Sequence, residues 1–279
     1  MDMFLDLTDR FPMRFDVDRM RQEVRAIQSD SLWLEHYDKA LSTGWKAIPL
    51  VSRHGRMDGP ESQRWGDVRE CRRTPVVEKM PYFREILDAF QCPHGRIRVL
   101  KLMPGAVIGM HRDIADEAAG FAYRKVRLHV PIETNDGVVF HLGGGRIKMA
   151  PGRLYYCDFT QPHFVRNDGP TPRVHLVMDL IVNDFLMGVF PKETLREKAV
   201  HWLKRNAMPT VWACQSARVE ASRRFWRAYN GSAVQGWAQA VRGKKPALAG
   251  VTPPRRRPTT RSCRPRCSAS AACAAGCRG

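Results

Sequence analysis

Between residues 96 and 182, short segments in which apolar and polar side chains alternate are separated by Pro, Gly, Asn and Asp. Alternation with a period of two is typical of half-buried strands, and many short strands joined by such turns are typical of β-sandwiches and β-barrels. The pattern therefore predicts a mainly β fold with flanking helices. The predicted strands are 45–51, 96–102, 125–131, 138–142, 146–149, 154–157 and 173–182. The predicted helices are 17–29, a short one after 31, 81–90, 193–205 and 213–229.

His111 and Asp113 stand two residues apart in an extended segment. Side chains two apart on a strand point to the same face, so both can reach one ion, whereas Arg112 points away. His163 lies about fifty residues further on, a separation expected when a barrel brings two distant strand ends together. Two imidazoles and one carboxylate can hold non-haem Fe(II) by one face and leave the other face open. Taken singly, each histidine is more simply explained as a surface residue or a hydrogen-bonded core residue, and only a second signal favours a metal site.

Two predicted strands share an Arg-x-His pattern, with Arg127 and His129 on one strand and Arg173 and His175 on the other. In both, the arginine and the histidine lie on one face and aliphatic side chains on the opposite face. A buried guanidinium needs an anion, and its planar fork suits a carboxylate. Arg173, ten residues beyond His163, is well placed to bind a dicarboxylate beside a metal. A structural ion pair with Asp or Glu is the alternative for both arginines.

Residues 44–184 resemble the aspartyl/asparaginyl β-hydroxylase family of Fe(II)- and 2-oxoglutarate-dependent oxygenases. The resemblance rests on the segment LMPGAVIGMH that ends at His111, on Arg127-Leu-His129, on Gly152 through Asp158 to His163, and on the stretch from Asn167 to Asp179. These motifs are specific in combination and occur in the family's order.

The resemblance implies a double-stranded β-helix, that is, a jelly-roll, cupin-like core. It implies that His111 and His163 are iron ligands, and the spacing on the strand adds Asp113 as the expected third ligand. It also implies that Arg173 holds the distal carboxylate of 2-oxoglutarate, with Arg127 and His129 near its 1-carboxylate. The implied activity uses Fe(II), 2-oxoglutarate and O2 to hydroxylate an unactivated carbon of an amino acid, an amino-acid derivative or a peptidyl Asp/Asn-like residue.

The chain departs from part of the family at two positions. Animal members lack a carboxylate two residues after the first histidine, whereas this chain has Asp113, as do bacterial members that act on free amino acids such as proline. Leu100 stands near the position where those members place a hydroxyl residue for the co-substrate. The first departure favours a small substrate over a folded protein domain.

Four segments are expected along the chain. They are an N-terminal helical segment packing on the barrel (1–43), the oxygenase domain (44–190), a C-terminal helical extension (191–242) and a disordered basic tail (243–279). The tail is rich in Pro, Ala, Ser and Arg without periodicity. Residues 242–279 hold ten Lys or Arg and no Asp or Glu, so more than half of the net charge of +18 lies there. A basic tail of this kind can bind nucleic acid nonspecifically. We expect no specific nucleic-acid function, because the tail offers neither an aromatic platform nor a groove-reading helix.

The remaining features indicate a cytoplasmic protein. No window approaches the eighteen apolar residues of a membrane span, and the acidic N-terminus does not read as a signal peptide. Of the eight cysteines, the first four are scattered and form no disulfide-framework pattern, which indicates reduced thiols. The last four, at 263, 267, 273 and 277, leave a zinc site as an alternative. The expected partner is a small-molecule or peptide substrate, and the oligomeric state is left open. Two other functions also remain open: a cupin-type metalloenzyme that does not use 2-oxoglutarate, and a non-catalytic ligand-binding barrel.

Overall fold

A computed structural model describes residues 2–27, 32–35, 42–59, 62, 67–113, 120–206 and 224. The chain divides into two units, Met1–Trp237 and Ala238–Gly279, and the second lies outside the described residues. The strands are β1 Phe4–Asp6, β2 Leu34–Glu35, β3 Ser42–Arg53, β4 Cys71–Arg73, β5 His94–His111, β6 Lys125–Glu133, β7 Val138–Leu142, β8 Gly145–Ile147, β9 Tyr155–Cys157, β10 His163–Asn167 and β11 Arg173–Ile181. The helices are α1 Val17–Ala26, α2 Pro81–Ala89 and α3 Asp184–Val189, and residues 195–206 are also helical.

The strands form an antiparallel sheet in the order β1-β9-β6-β11-β5-β10-β7-β8, and β3 pairs with β2, β4 and β5. The long strand β5 pairs with β11 along its first half and with β10 along its second half. The two halves of the sheet face each other, since the ring of His129 on β6 lies 6.4 Å from that of Phe140 on β7. This confirms the predicted mainly β fold with a double-stranded β-helix core and flanking helices.

Two hydrophobic cores lie on opposite faces of the sheet. On β11, Val174, Leu176 and Met178 pack in the outer core against the helices, together with residues of α1 and α2 such as Met20 and Phe83. The inner core lies between the two halves of the sheet and contains Trp45, Leu102, Phe140, Cys157, Phe159 and Val177. The period of two therefore sends Arg173, His175 and Asp179 to the inner side with Val177.

Helix α1 begins where the sequence predicted. The side chain of Asp16 accepts hydrogen bonds of 3.0 Å from the backbone N–H groups of Asp18 and Arg19, which caps the helix. Helix α2 begins at Pro81, in the first turn, where its missing N–H group costs nothing. The predicted helix at 193–205 is also present, whereas the one at 213–229 lies almost entirely outside the described residues.

Two predictions about elements were wrong. Where a short helix was expected after residue 31, Leu32 lies in a 3-10 turn and Leu34–Glu35 form β2, in which Leu34 pairs with Ala47 of β3. Pairing with a long strand overrides local propensity there, and residues 36–41 lie outside the described part of the chain. Strand β5 does not end at Leu102 but continues to His111. It passes Pro104 and Gly105, where the positive φ of 75° at Gly105 is readily adopted only by glycine.

Within the described residues, no helix has both the length and the apolar composition needed to cross a membrane.

Candidate active site

His111, Asp113 and His163 lie together at one end of the barrel, and we refer to them as the His–Asp–His cluster. His111 is the last residue of β5 and His163 is the first of β10, and the two are direct partners across the antiparallel pair. Asp113 follows two residues later, where its backbone N–H donates a hydrogen bond of 2.9 Å to the carbonyl of Phe159. The structure thus brings His163 next to His111 and Asp113, which lie about fifty residues earlier in the sequence.

The geometry of the cluster suits one ion. One ligand atom from each of the three residues lies within 4.8 Å of the other two. The distance from His111 Nε2 to Asp113 Oδ1 is 3.7 Å, and the two imidazole centroids are 4.1 Å apart. Asp113 and His163 are buried and His111 is half-buried. Arg112, between the two ligand candidates, is exposed, as the alternation of side-chain directions predicts.

Both histidines are oriented by backbone carbonyls. Nδ1 of His111 lies 2.8 Å from the carbonyl oxygen of Gly109, and Nδ1 of His163 lies 2.9 Å from that of Gln161. Because a carbonyl can only accept, each Nδ1 carries a proton, so in the neutral ring Nε2 is the atom that offers a lone pair. Burial, helped by the nearby His111, lowers the pKa of His163 well below its ordinary value. A neutral imidazole held in this way is the form that binds a divalent metal.

The two oxygens of Asp113 have different surroundings. Oδ2 accepts a hydrogen bond from Nη1 of Arg127, whereas Oδ1 faces Nε2 of His111. Only Oδ1 is therefore directed toward the space between the imidazoles. The arrangement suits coordination through one carboxylate oxygen, which leaves more open positions on an ion than bidentate coordination would.

Arg127 also binds a second carboxylate, that of Asp179. Its Nε donates to Asp179 Oδ1 at 2.5 Å and its Nη2 to Oδ2 at 3.2 Å, while Arg96 donates to Oδ2 at 2.9 Å. Burial disfavours the charged form of Asp179, but the charges of Arg127 and Arg96 outweigh it and lower the pKa of this carboxyl. Arg127 thus forms the structural ion pair that the sequence left open as an alternative. Its role in binding the co-substrate stays a prediction.

Arg173 is in a different environment. It is 4% exposed, its guanidinium carbon lies 5.5 Å from the ring centroid of Phe140, and its Nη2 lies 3.1 Å from Nδ1 of His175. Within the part of the chain that the structure describes, it forms no ion pair with Asp or Glu. Burial lowers its pKa to about 10, which leaves it charged at neutral pH. The site thus contains a buried cation with no carboxylate among the described residues to balance it.

His129 and Phe159 lie between this arginine and the cluster. His129 Nδ1 is 3.4 Å from His175 Nδ1, and its buried Nε2 has no hydrogen-bond partner among the described residues. Burial and the charge of Arg173 lower the pKa of His129 well below its ordinary value, so the ring is neutral. The ring of Phe159 lies 5.3 Å from that of His129 and 4.6 Å from that of His163.

Sequence reasoning did not select Asp179, Arg96 or Phe159 as site residues. Asp179 lies on the same face of β11 as Arg173, six residues further on, so the period of two could have found it. Arg96 alternates with Ile97 on β5, so the same period of two could have selected it as well. Phe159 lies in a loop after β9, where no periodicity indicates which side chains face inward.

The sequence and structure of the chain are similar to those of known proteins. Residues 14–182 match the family described as Aspartyl/Asparaginyl beta-hydroxylase. The chain is 26% identical, over 193 residues, to L-proline cis-4-hydroxylase of Rhizobium meliloti (strain 1021). That match covers 66% of this chain and 62% of the relative, so it spans less than two thirds of the relative's length.

Two solved structures are similar to part of this chain. One is an oxidoreductase of the 2OG-Fe(II) oxygenase family from Burkholderia pseudomallei, with a TM-score of 0.39, 16% identity, and coverage of 64% of this chain and 84% of that one. The other is a Pseudomonas putida prolyl-4-hydroxylase, with a TM-score of 0.39, 13% identity, and coverage of 63% and 97%.

Proposed function

Because the chain belongs to the aspartyl/asparaginyl β-hydroxylase family, we propose that it is an Fe(II)- and 2-oxoglutarate-dependent hydroxylase of a free amino acid. The preferred candidate is proline or a related cyclic amino acid. Two features support this choice. The curated relative is a proline hydroxylase, and Asp113 supplies the carboxylate that the animal members of the family lack. A peptidyl substrate is the less favoured alternative.

The residues of the His–Asp–His cluster fit a divalent metal. Nε2 of His111, Nε2 of His163 and Oδ1 of Asp113 would hold it, and the nitrogen–oxygen–nitrogen set is that of the facial triad of non-haem Fe(II) enzymes. Fe(II) with 2-oxoglutarate and O2 supplies the oxidising chemistry that converts a C–H bond into an alcohol. The protein orients the ligands through the two carbonyls and through Arg127, which holds the second oxygen of Asp113.

The observation that carries the proposal is Arg173, a buried arginine without an acidic partner among the described residues. A buried charge is costly unless it is paired, so this site favours an anionic ligand. In the proposed function that ligand is the distal carboxylate of 2-oxoglutarate, which the guanidinium fork can bind through two hydrogen bonds. A cupin-type enzyme that works without 2-oxoglutarate would have no use for this cation.

Arg127 and His129 remain the predicted neighbours of the 1-carboxylate. Arg127 would contribute its positive charge while it holds Asp113 and Asp179. His129 would contribute a neutral ring whose Nε2 is buried without a partner in the described structure.

The proposal is tested by turnover. Purified protein is incubated with Fe(II), 2-oxoglutarate and O2 together with free L-proline, other amino acids, acylated amino acids or short peptides. Succinate is quantified, and each substrate is analysed by mass spectrometry for the gain of one oxygen atom. We expect both products with a free amino acid. A protein that oxidises a substrate without releasing succinate would favour the cupin alternative, and one that binds ligands without any turnover would favour the non-catalytic barrel.

A further inference from the structure

The polar contact of Arg173 is made to an imidazole rather than to a carboxylate. Its Nη2 lies 3.1 Å from Nδ1 of His175, two residues further along β11 and on the same inner face. Both side chains are buried, with His175 2% exposed. This contact orients the guanidinium, but it supplies no negative charge.

The chemistry of the pair fixes the direction of the hydrogen bond. A guanidinium has only donors, so Nδ1 of His175 must accept and the proton of the ring must lie on Nε2. Burial and the positive charge of Arg173 lower the pKa of His175 well below its ordinary value, which keeps the ring neutral. Arg173 is thus held by a neutral acceptor.

Arg127 provides an internal comparison, because it occupies the corresponding place in the other Arg-x-His strand. Arg127 is bound by two carboxylates, Asp113 and Asp179, whereas His129, two residues after it, makes no hydrogen bond to it among those described. The same sequence pattern therefore produces one arginine that is paired with two carboxylates and one that has no carboxylate partner among the described residues. The difference lies in the partner of each guanidinium.

We propose that His175 is a positioning residue that fixes the guanidinium of Arg173 without neutralising it, and so reserves its charge for a carboxylate ligand. This inference rests on the proposed function only in taking that ligand to be 2-oxoglutarate. An acidic residue at position 175 would form an internal ion pair that the ligand would have to displace. An apolar residue would leave the guanidinium without an acceptor and free to adopt other rotamers.

The test compares three variants, His175→Asn, His175→Asp and His175→Leu. Asn and Asp have nearly the same shape, and each can place an oxygen near the position of Nδ1, but only Asp adds a charge. We measure the dissociation constant for 2-oxoglutarate under anaerobic conditions with Fe(II) present, the affinity for Fe(II) itself, and KM and kcat for 2-oxoglutarate.

His175→Asn should bind 2-oxoglutarate within about threefold of the parent, because a neutral acceptor is retained. His175→Asp and His175→Leu should each bind it at least about tenfold more weakly, as expected when a charge-assisted contact is lost. KM should rise in these two variants while kcat and Fe(II) affinity stay close to the parent values. A merely structural role would instead lower Fe(II) affinity and kcat together in all three.

Equal affinity of the Asp and Asn variants for 2-oxoglutarate would overturn the inference even if the Leu variant failed to fold. Arg173→Leu separates this failure from that of the proposed function. If Arg173→Leu binds 2-oxoglutarate like the parent, the proposed function is wrong. If Arg173→Leu loses binding while His175→Asp does not, only the role of His175 is wrong.

Discussion

In each side chain of the His–Asp–His cluster, one polar atom is held by a hydrogen bond, and the other polar atom is left free to coordinate an ion. Carbonyls of Gly109 and Gln161 hold Nδ1 of the two imidazoles, and Arg127 holds Oδ2 of Asp113. The atoms that remain are two bare Nε2 and one Oδ1. Outer contacts of this kind fix the tautomer and the orientation of metal ligands, and their loss commonly reduces metal affinity by about 10- to 100-fold.

His163→Ala should abolish Fe(II) binding and turnover, since it removes one of three ligand atoms, and should leave the β-sheet signal in circular dichroism unchanged. The matched control is His141→Ala, on the neighbouring strand β7, because His141 lies outside the cluster and stacks on Phe164. The control should bind Fe(II) like the parent. If His163→Ala also does so, the metal site lies elsewhere.

Asp113→Ala tests the departure from the animal members of the family. If Asp113 is a true third ligand, both Fe(II) affinity and turnover should fall strongly, because neither imidazole can replace the carboxylate. Anaerobic titration with Fe(II) measures the first effect and succinate release measures the second. Substantial activity in this variant would mean that water fills the third position, as the pattern of the animal members implies.

The pair His111 and Asp113 could be predicted from the sequence because side-chain direction along a strand depends only on local geometry. The partner of Arg127 could not, because it depends on register. Asp179 lies opposite Arg127 in the pairing of β11 with β6, and no local pattern sets that alignment. For the same reason, the sequence does not reveal that Arg173 lacks an acidic partner among the residues that the structure describes.

Three strands meet at Asp179, the inner residue of β11 that binds Arg96 of β5 and Arg127 of β6. Asp179 is 1% exposed and Arg96 is 4% exposed. Removal of one partner from a buried ion network leaves uncompensated charge and costs about 3 to 5 kcal/mol. The network is therefore a sensitive point of the sheet beside the site.

Asp179→Asn should lower the free energy of unfolding by about 3 to 5 kcal/mol, measured by urea denaturation at pH 7. The control is Asp168→Asn, whose pair with Arg166 is largely exposed and should contribute less than about 1 kcal/mol. A loss in Asp179→Asn no larger than in the control would show that the network does not stabilise the sheet.

The same variant should show a characteristic pH dependence. The pKa of Asp179 is lower in the folded protein than its ordinary value of 3.8, so its stabilising contribution is fully present above that value and is lost as the pH falls through the folded-state pKa. The stability difference between the parent and Asp179→Asn should be constant from about pH 7 to pH 5 and shrink below about pH 4. A difference that grows on acidification would contradict this assignment.

Element boundaries were less predictable than element types. The alternation in 96–102, 125–131 and 173–182 correctly predicted β5, β6 and β11, because one face of each packs in the outer core. The extension of β5 past Gly105 was missed, because Pro and Gly usually end a strand. Pairing with β10 carries this strand on to His111, and that long-range contact has no local signature.

Across the whole molecule, the family match at 14–182 includes the entire inner core and the cluster, and it confirms the family resemblance and the fold expected from the sequence. The boundaries at 43, 190 and 242 stay predictions. The first compact unit ends at Trp237, close to the last of these boundaries.

Deletion of all residues after Ala240 should leave the melting temperature and the turnover number unchanged, because the sequence of the deleted segment lacks core-forming periodicity. Differential scanning calorimetry and succinate release measure the two quantities. A shortened protein that loses its thermal transition or its iron-dependent activity would show that the tail belongs to the folded unit.

The central claim is that the His–Asp–His cluster binds Fe(II) while Arg173 binds 2-oxoglutarate beside it. The most direct test is an anaerobic titration with Fe(II) and then with 2-oxoglutarate, following the metal-to-ligand charge-transfer absorption band. In the parent, the band should grow with added 2-oxoglutarate and reach saturation. Arg173→Ala should bind Fe(II) normally but require roughly 30-fold to a few thousand-fold more 2-oxoglutarate, as loss of a charge-assisted contact of about 2 to 5 kcal/mol predicts. An Arg173→Ala protein that develops the band at parental concentrations would contradict the account.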